Sequence, residues 1–500
     1  MKKIIIIGAG IGGLITGNLL VKKGHKVTIF ESHSMPGGYT AGFYRNGCYF
    51  ESGTVSLESM ETIFRAMKDI GVLEKLEFAK LGMRVVSDHF DGIPENYEEF
   101  KKIIYDAFPA DKEKLDKAFS DQDRILSALE GATDMIMPPL MSRIEMLRLL
   151  PAYIPNLPKT IKVTREFGKM TSSEFAAKHF EQDSTLYNLF SKFSYPDTSA
   201  VFLATAMAGV FTEIWTVRGG MQSWADLLAE KFREQGGDLK LKSYIDRIIT
   251  ANGAVVGVSC SDVVYEADHV ISAGDYKKTF LQLLDDKKLI PEELLDSIES
   301  AAVSEGFYTV YLVLDIPGQE LAEHMKNPHV FSIDFKPGYD IYDTEDGDYF
   351  SKTAFYLYSP SMVNPQLAQG ERSTLMIQVR TPHRWMDNWG SGNKEIYKQL
   401  KAKAMHTMID RAAVLIPGLK DHIEYMDAAT PLTYERFTHN TDGASSAWSW
   451  NPKKSFFKSV LGTNVETPVK NLYIGSHWAM QIGGVPGAIA AAYQCVKKIK

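Results

Sequence analysis

Gly8, Gly10 and Gly13 form the pattern Gly-x-Gly-x-x-Gly directly after the apolar run 4–7. At the end of a strand and the start of a helix, this spacing binds a pyrophosphate. Gly8 permits a tight turn, Gly10 lets backbone N–H groups approach the anion, and Gly13 lets the helix pack closely on the strand. Ile11 and Gly12 complete the cradle. The spacing predicts a helix over 11–22 ended by Gly24, a second buried strand over 26–30, and Glu31 at that strand's end. A carboxylate there hydrogen-bonds an adenosine ribose diol and repels a 2′-phosphate, which disfavours NADP. The strand, turn, helix and strand context separates this pattern from a merely structural glycine turn.

A second glycine pair, Gly37-Gly38, follows Glu31 and Ser32 and leads into Tyr39 and Thr40. Taken alone it reads equally as an ordinary turn. In the stretch Glu31-Ser-His-Ser-Met-Pro-Gly-Gly-Tyr-Thr it resembles the amine-oxidase and phytoene-desaturase superfamily of flavoproteins, where such a pair lines the FAD pyrophosphate. The stretch Asn46-Gly-Cys-Tyr-Phe-Glu-Ser-Gly is similar to that family's approach to the flavin. Near the other end, Asn471-Leu-Tyr-Ile-Gly-Ser-His-Trp-Ala-Met-Gln-Ile-Gly-Gly-Val-Pro-Gly resembles the closing motif of phytoene desaturases, carotenoid isomerases and retinol saturases. It reads as strand, loop, glycine turn and a small-residue helix over 487–497. A helix N-terminus reached through Gly483-Gly484 offers free N–H groups and positive potential to the pyrimidine end of a reduced flavin. The resemblance implies flavin contacts at Gly475, Ser476, Gly484 and Val485. Many relatives carry an acidic residue after the strand-ending glycine, where this chain has Ser476 and then His477-Trp478.

Between the ends, Thr216-Val-Arg-Gly-Gly-Met, a helix over 224–235 and a strand over 239–248 resemble the family's middle FAD segment, in which the backbone at Ile245 touches adenine. Residues 268–275 return the chain to the sheet, and 430–443 look like the carotenoid-isomerase and retinol-saturase branch. The resemblance implies an α/β fold in which a Rossmann-like FAD-binding domain with a parallel sheet is interleaved with an α+β substrate domain. The first takes 1–80, 214–290 and 430–500; the second takes 81–213 and 291–429 and is built on an antiparallel sheet with a helical lid. Strands are predicted at 88–96, 306–314, 353–358 and 374–380, and lid helices at 171–180 and 184–193. No second Gly-x-Gly-x-x-Gly follows a strand, so a separate NAD(P)H domain is not expected and the electron acceptor or donor is unknown.

The function implied is FAD-dependent desaturation, saturation or flavin-assisted isomerisation of carbon–carbon bonds in a long apolar substrate such as a carotenoid, retinoid or other isoprenoid lipid. Two readings from other classes compete with it. An amine-oxidase-like flavoprotein would need an aromatic cage for a small amine. A non-enzymatic escort of prenylated proteins, of the Rab GDP-dissociation-inhibitor type, has the intact cradle and Glu31 against it.

The sequence assigns no catalytic side chain. There is no His-Glu-x-x-His, paired Cys-x-x-Cys or Gly-x-Ser-x-Gly, so zinc and serine hydrolysis lose their signatures and no metal is expected. His477 is either a proton donor beside the flavin or a structural histidine. Trp448, Trp450, Phe456, Phe457 and Trp478 are either substrate walls or core. Glu435-Arg436 reads as a local ion pair or solvated face. A net charge of −7 without a basic stripe argues against a nucleic-acid partner. Cys48, Cys260 and Cys495 are too scattered for a disulfide framework, and no signal peptide precedes the first strand, so a cytoplasmic location is expected. Residues 134–162 mix apolar helical turns, prolines and the cations Arg143, Arg148, Lys159 and Lys162. That composition suits peripheral contact with a bilayer surface, against the alternative of a core-packed helical cap. The apolar run 201–211 is too short to span a membrane and reads as a buried helix.

Overall fold

The computed structural model describes residues 1–129, 137–212, 214–457 and 463–500. Its centre is a five-stranded sheet in which every pairing is parallel. Strand Lys3–Ile7 lies in the middle, between Lys26–Phe30 and His269–Ser272; Asp238–Lys240 and Leu472–Ile474 complete the two edges. The unbroken isoleucine run 4–7 follows from this position, since a central parallel strand is covered on both faces. Helices Ile11–Lys22, Met221–Glu234 and Gly484–Lys498 pack together beside the sheet. Gly8, Glu31, Gly274 and Gly475 each stand one or two residues past the carboxyl end of a strand. In open α/β sheets that is the edge where ligands bind.

A second sheet has seven strands in the order Ile423–Ala429, Gly306–Leu314, Ser373–Thr381, Phe355–Tyr358, His329–Ser332, Arg84–Val86 and Asp91–Gly92. Its pairings are antiparallel except that between His329–Ser332 and Arg84–Val86. Helices Tyr97–Ala107, Lys112–Ala128, Ser172–His179, Thr185–Lys192 and Ala200–Gly209 bury Phe100, Phe119, Phe175, Phe190 and Phe193 in a separate core that includes Val85 and Phe331 of this sheet. Thr171 and Glu174 close a capping box on the first of the two lid helices, and Ser184 caps the second. The run 201–211 is the helix Ala200–Gly209, with Leu203, Ala204 and Met207 buried. Among the described residues, no helix is long and apolar enough to cross a membrane.

Two strand expectations change. The segment 239–248 is two strands, because Lys242 takes a left-handed backbone and the Lys242 and Ser243 amides bond the His33 and Glu31 carbonyls instead of continuing a ladder. Arg247–Ala251 then opens a three-stranded antiparallel meander with Ala254–Cys260 and Val263–Glu266. The segment 88–96 keeps only Asp91–Gly92, tied to the preceding strand by the two-pronged Arg84–Asp91 pair at 2.7 and 2.8 Å.

Candidate functional site

The glycine cradle closes on itself through backbone bonds. The Gly8 amide donates to the Phe30 carbonyl at 2.7 Å, and the Ala9 amide donates to Glu31 Oε2 at 2.7 Å. The other Glu31 oxygen accepts from the His33 amide at 2.8 Å and from the Ser32 hydroxyl at 3.1 Å. The Glu31 carboxylate is thereby buried and fixed. Gly10 bridges Gly37, the Gly37 amide donates to the Ala9 carbonyl, and the Thr40 amide donates back to Gly37. The second glycine pair therefore lies directly against the first turn. The C-terminal segment reaches the same place: a Cβ on Gly12 would stand 2.4 Å from the Gly475 carbonyl oxygen. Gly475 donates to Ser272, and Ser476 Oγ donates to the Gly274 carbonyl at 2.6 Å. Ile245 is buried two residues after Ser243, whose amide is bonded to Glu31. Gly484 and Val485 open the helix Gly484–Lys498. Segments hundreds of residues apart thus converge on one edge of the parallel sheet.

Beyond the cradle lies an interior chamber. Tyr39, Glu58, Glu305, Tyr356 and His477 all keep accessible surface although protein surrounds each of them, so that surface faces inward. Tyr39 stacks on Tyr434 with ring centroids 5.3 Å apart. Tyr434 and Thr309 share a 2.7 Å hydroxyl bond, while Gln378 Nε2 donates to the Gly53 carbonyl at 3.3 Å and to Thr309 at 3.4 Å. Trp450 stacks on Tyr195 at 5.1 Å and lies 4.2 Å from Phe202. One wall is therefore the middle of the seven-stranded sheet, and another is aromatic.

His477 is held neutral: burial drives its imidazole down to about 4, and Nδ1 accepts the Gly484 amide at 3.3 Å. It caps the first turn of a helix, which is the structural alternative. Trp448 and Trp478 belong to the core, each indole N–H bonded within the protein, and Phe456 and Phe457 pack with them. Only Trp450 of the five aromatics joins the chamber wall. Glu435 does not pair with Arg436; it bonds His383 at 2.9 Å and Lys278 at 3.5 Å, while the exposed Arg436 lies over Phe437. Tyr434, Thr309, Gln378 and Arg380 went unrecognised in the sequence. Gln378 and Arg380 alternate on strand Ser373–Thr381, but Thr309 lies on the neighbouring strand and Tyr434 on helix Pro431–Thr438, so only the fold brings them together.

A family model described as flavin containing amine oxidoreductase matches residues 11–500. The chain belongs to the flavin-containing amine oxidoreductase family. The phytoene desaturase (lycopene-forming) of Pseudescherichia vulneris is 22% identical over 98% of this chain and 98% of its own. The all-trans-retinol 13,14-reductase of Danio rerio is 22% identical over 98% of this chain and 84% of its own. The solved structure of cyclohexylamine oxidase from Brevibacterium oxydans IH-35A, 13% identical, shares the fold at a TM-score of 0.64 over 100% of this chain and 98% of that one.

FAD is the cofactor of this family, and the residues present fit it. A Cβ on Gly10 would meet nothing within 4 Å, whereas one on Gly13 would stand 2.0 Å from the Gly8 carbonyl oxygen. Helix packing explains Gly13; Gly10 is left open toward a ligand. The buried Tyr39 hydroxyl, beside the second glycine pair, has no hydrogen-bond partner among the described residues. Among the described residues, no cluster of side chains suits a metal.

Proposed function

We propose that this chain is an FAD-dependent oxidoreductase that desaturates, saturates or isomerises carbon–carbon bonds of a long apolar substrate of the carotenoid, retinoid or isoprenoid class. The observation that carries the reading is the form of the chamber wall. An amine cation held between two rings needs them about 7 Å apart, twice an ordinary carbon contact. The Tyr39 and Tyr434 rings, at 5.3 Å, are already in contact with each other and form no such cage. The names of the desaturase and reductase relatives support the same class of substrate.

FAD, once bound, supplies hydride acceptance or donation. The protein's part is to hold, orient and exclude water. Glu31 and the amides around Gly8–Gly13 would hold the adenosine and pyrophosphate end, and the segment Gly475–Val485 the flavin end. Neutral His477 keeps the first turn of its helix in place without placing a charge there. Thr309, Gln378 and Tyr434 bond one another and Gly53, which keeps that wall of the chamber fixed.

We further propose that the substrate enters from a membrane surface and that the protein docks there from the cytoplasm. Ile144, Met146, Leu147, Leu157 and Ile161 on helices Arg143–Tyr153 and Leu157–Phe167, and Ile154 in the turn between them, are all exposed, among the exposed cations Arg143, Arg148, Lys159 and Lys162. Asp134, Met135 and Ile136, also expected in this surface, lie outside the described residues. An apolar face flanked by cations matches an interfacial helix.

The reading is tested by anaerobic mixing of FAD-loaded protein with a polyene and, separately, with a primary amine, following flavin absorbance and the substrate's mass. Change in the polyene alone is expected. Bleaching by the amine alone would overturn it.

A further inference from the structure

Arg380 lies next to last in strand Ser373–Thr381, on the same face as Gln378 and about 7 Å further along it. Gln378 touches Gly53 beside the cradle, and Arg380, further along the strand, lines a cavity together with Tyr356. Its guanidinium carbon sits 4.0 Å over the Tyr195 ring. Its Nη1 is fully buried and bonds nothing among the described residues. The small cavity that Arg380 lines is bordered also by Lys192, Asp197, Tyr339, Asp340, Tyr342 and Tyr356. Lys192 Nζ lies over the Phe335 and Tyr339 rings and donates to the Tyr339 carbonyl at 3.1 Å.

A buried guanidinium with an idle donor is costly unless something answers its charge. No nearby carboxyl lies within ion-pair distance of it among the described residues. Asp197 is taken by the Ser173 hydroxyl at 2.6 Å and the Tyr342 hydroxyl at 3.2 Å. Burial pushes the Glu58 and Glu305 carboxyls up, Glu305 to about 7, against the pull of Arg380 itself. A substrate that was hydrocarbon throughout would leave this guanidinium donor without a partner.

We propose that Arg380 receives a terminal carboxylate on an otherwise apolar chain, and so sets which carbon–carbon bond lies at the reacting end of the chamber. The proposal rests on the long apolar substrate put forward above. Guanidinium and carboxylate match in a planar, two-pronged geometry that a hydroxyl cannot reproduce.

The test uses FAD-loaded protein titrated with all-trans-retinoic acid, all-trans-retinol and squalene, reading the quenching of tryptophan fluorescence; Trp450 packs on the Tyr195 ring that Arg380 covers. The acid should bind the native protein about 10-fold more tightly than the alcohol. Arg380→Met should lower the affinity for the acid by about 30-fold and leave alcohol and squalene within about 3-fold, with Arg380→Lys between. A native protein that prefers alcohol or squalene, or an Arg380→Met protein that loses the same factor for all three, would overturn the carboxylate assignment and leave the apolar-substrate reading standing. Failure of the native protein to bind any of the three, with its flavin spectrum intact, would overturn both. Should Arg380→Met fail to fold, the acid-over-alcohol preference of the native protein decides the matter.

Discussion

At the scale of single residues, two glycines of one motif do different jobs and should fail differently. Gly13 has a carbonyl oxygen 2.0 Å from where a Cβ would go, so Gly13→Ala should cost about 3 kcal/mol or more of stability, measured by denaturant unfolding of the apoprotein. Gly10 has open space there, so Gly10→Val should leave apoprotein stability within about 1 kcal/mol while abolishing retention of FAD on gel filtration. A yellow Gly10→Val protein would contradict the assignment of the cradle. Glu51 gives a pH signature. Burial lifts its carboxyl to about 8, although the Tyr49 hydroxyl and the Met221 amide donate to it and pull the other way. The folded chain therefore keeps a proton that the unfolded chain, with an ordinary value of 4.5, releases. The stability tied to that proton is full below about 4.5 and is lost as pH rises toward 8. Glu51→Gln should remove that slope, so its melting temperature relative to the native protein should rise between pH 5 and pH 8. A constant difference across that range would show that Glu51 does not hold the proton.

At the scale of elements, the first sixty residues were readable because each structural step has a local cause. The isoleucine run, the glycine turn, the helix and the strand ending at Glu31 follow one another without any long-range information. The helix Gly484–Lys498 was legible for the same reason, starting three residues earlier than expected because its N-terminus begins at the glycine pair itself. The short strands Arg84–Val86 and His329–Ser332 carry no period of their own; they exist because the sheet supplies partners distant in sequence. Arg380 is hidden similarly. Its role depends on the register of a strand and on Tyr195 from a separate lid segment, neither of which shows in the run Leu375-Met-Ile-Gln-Val-Arg. On the helices Arg143–Tyr153 and Leu157–Phe167 the apolar residues divide: Val163 and Phe167 are buried, whereas Ile144, Met146, Leu147, Leu157 and Ile161 are left uncovered. Replacing Ile144 and Leu147 together by Glu should reduce co-sedimentation with anionic phospholipid vesicles at least about 10-fold without changing the flavin spectrum. Unchanged sedimentation would argue that these side chains meet another surface.

At the scale of the whole molecule, no one segment builds the glycine-lined edge of the parallel sheet. The turns at Gly8 and Gly37, the stretch leading to Ile245 and the loop at Gly475 are joined by backbone bonds and close glycine contacts. FAD should therefore stabilise the chain as a unit, raising its thermal midpoint as FAD concentration rises, by about 2.7 kcal/mol at a hundredfold excess over Kd. A midpoint that does not depend on FAD would mean that the ends do not grip a common ligand. The interleaving also explains why the chamber has two unlike walls. One comes from the glycine turns at the edge of the parallel sheet, the other from the seven-stranded sheet and the helices packed on it. The most direct measurement is mass analysis of a polyene incubated anaerobically with the FAD-loaded protein, with a primary amine run in parallel. The account expects the polyene to gain or lose two hydrogens, or to change isomer at constant mass, and the amine to remain intact. An oxidised amine beside an unchanged polyene would contradict it.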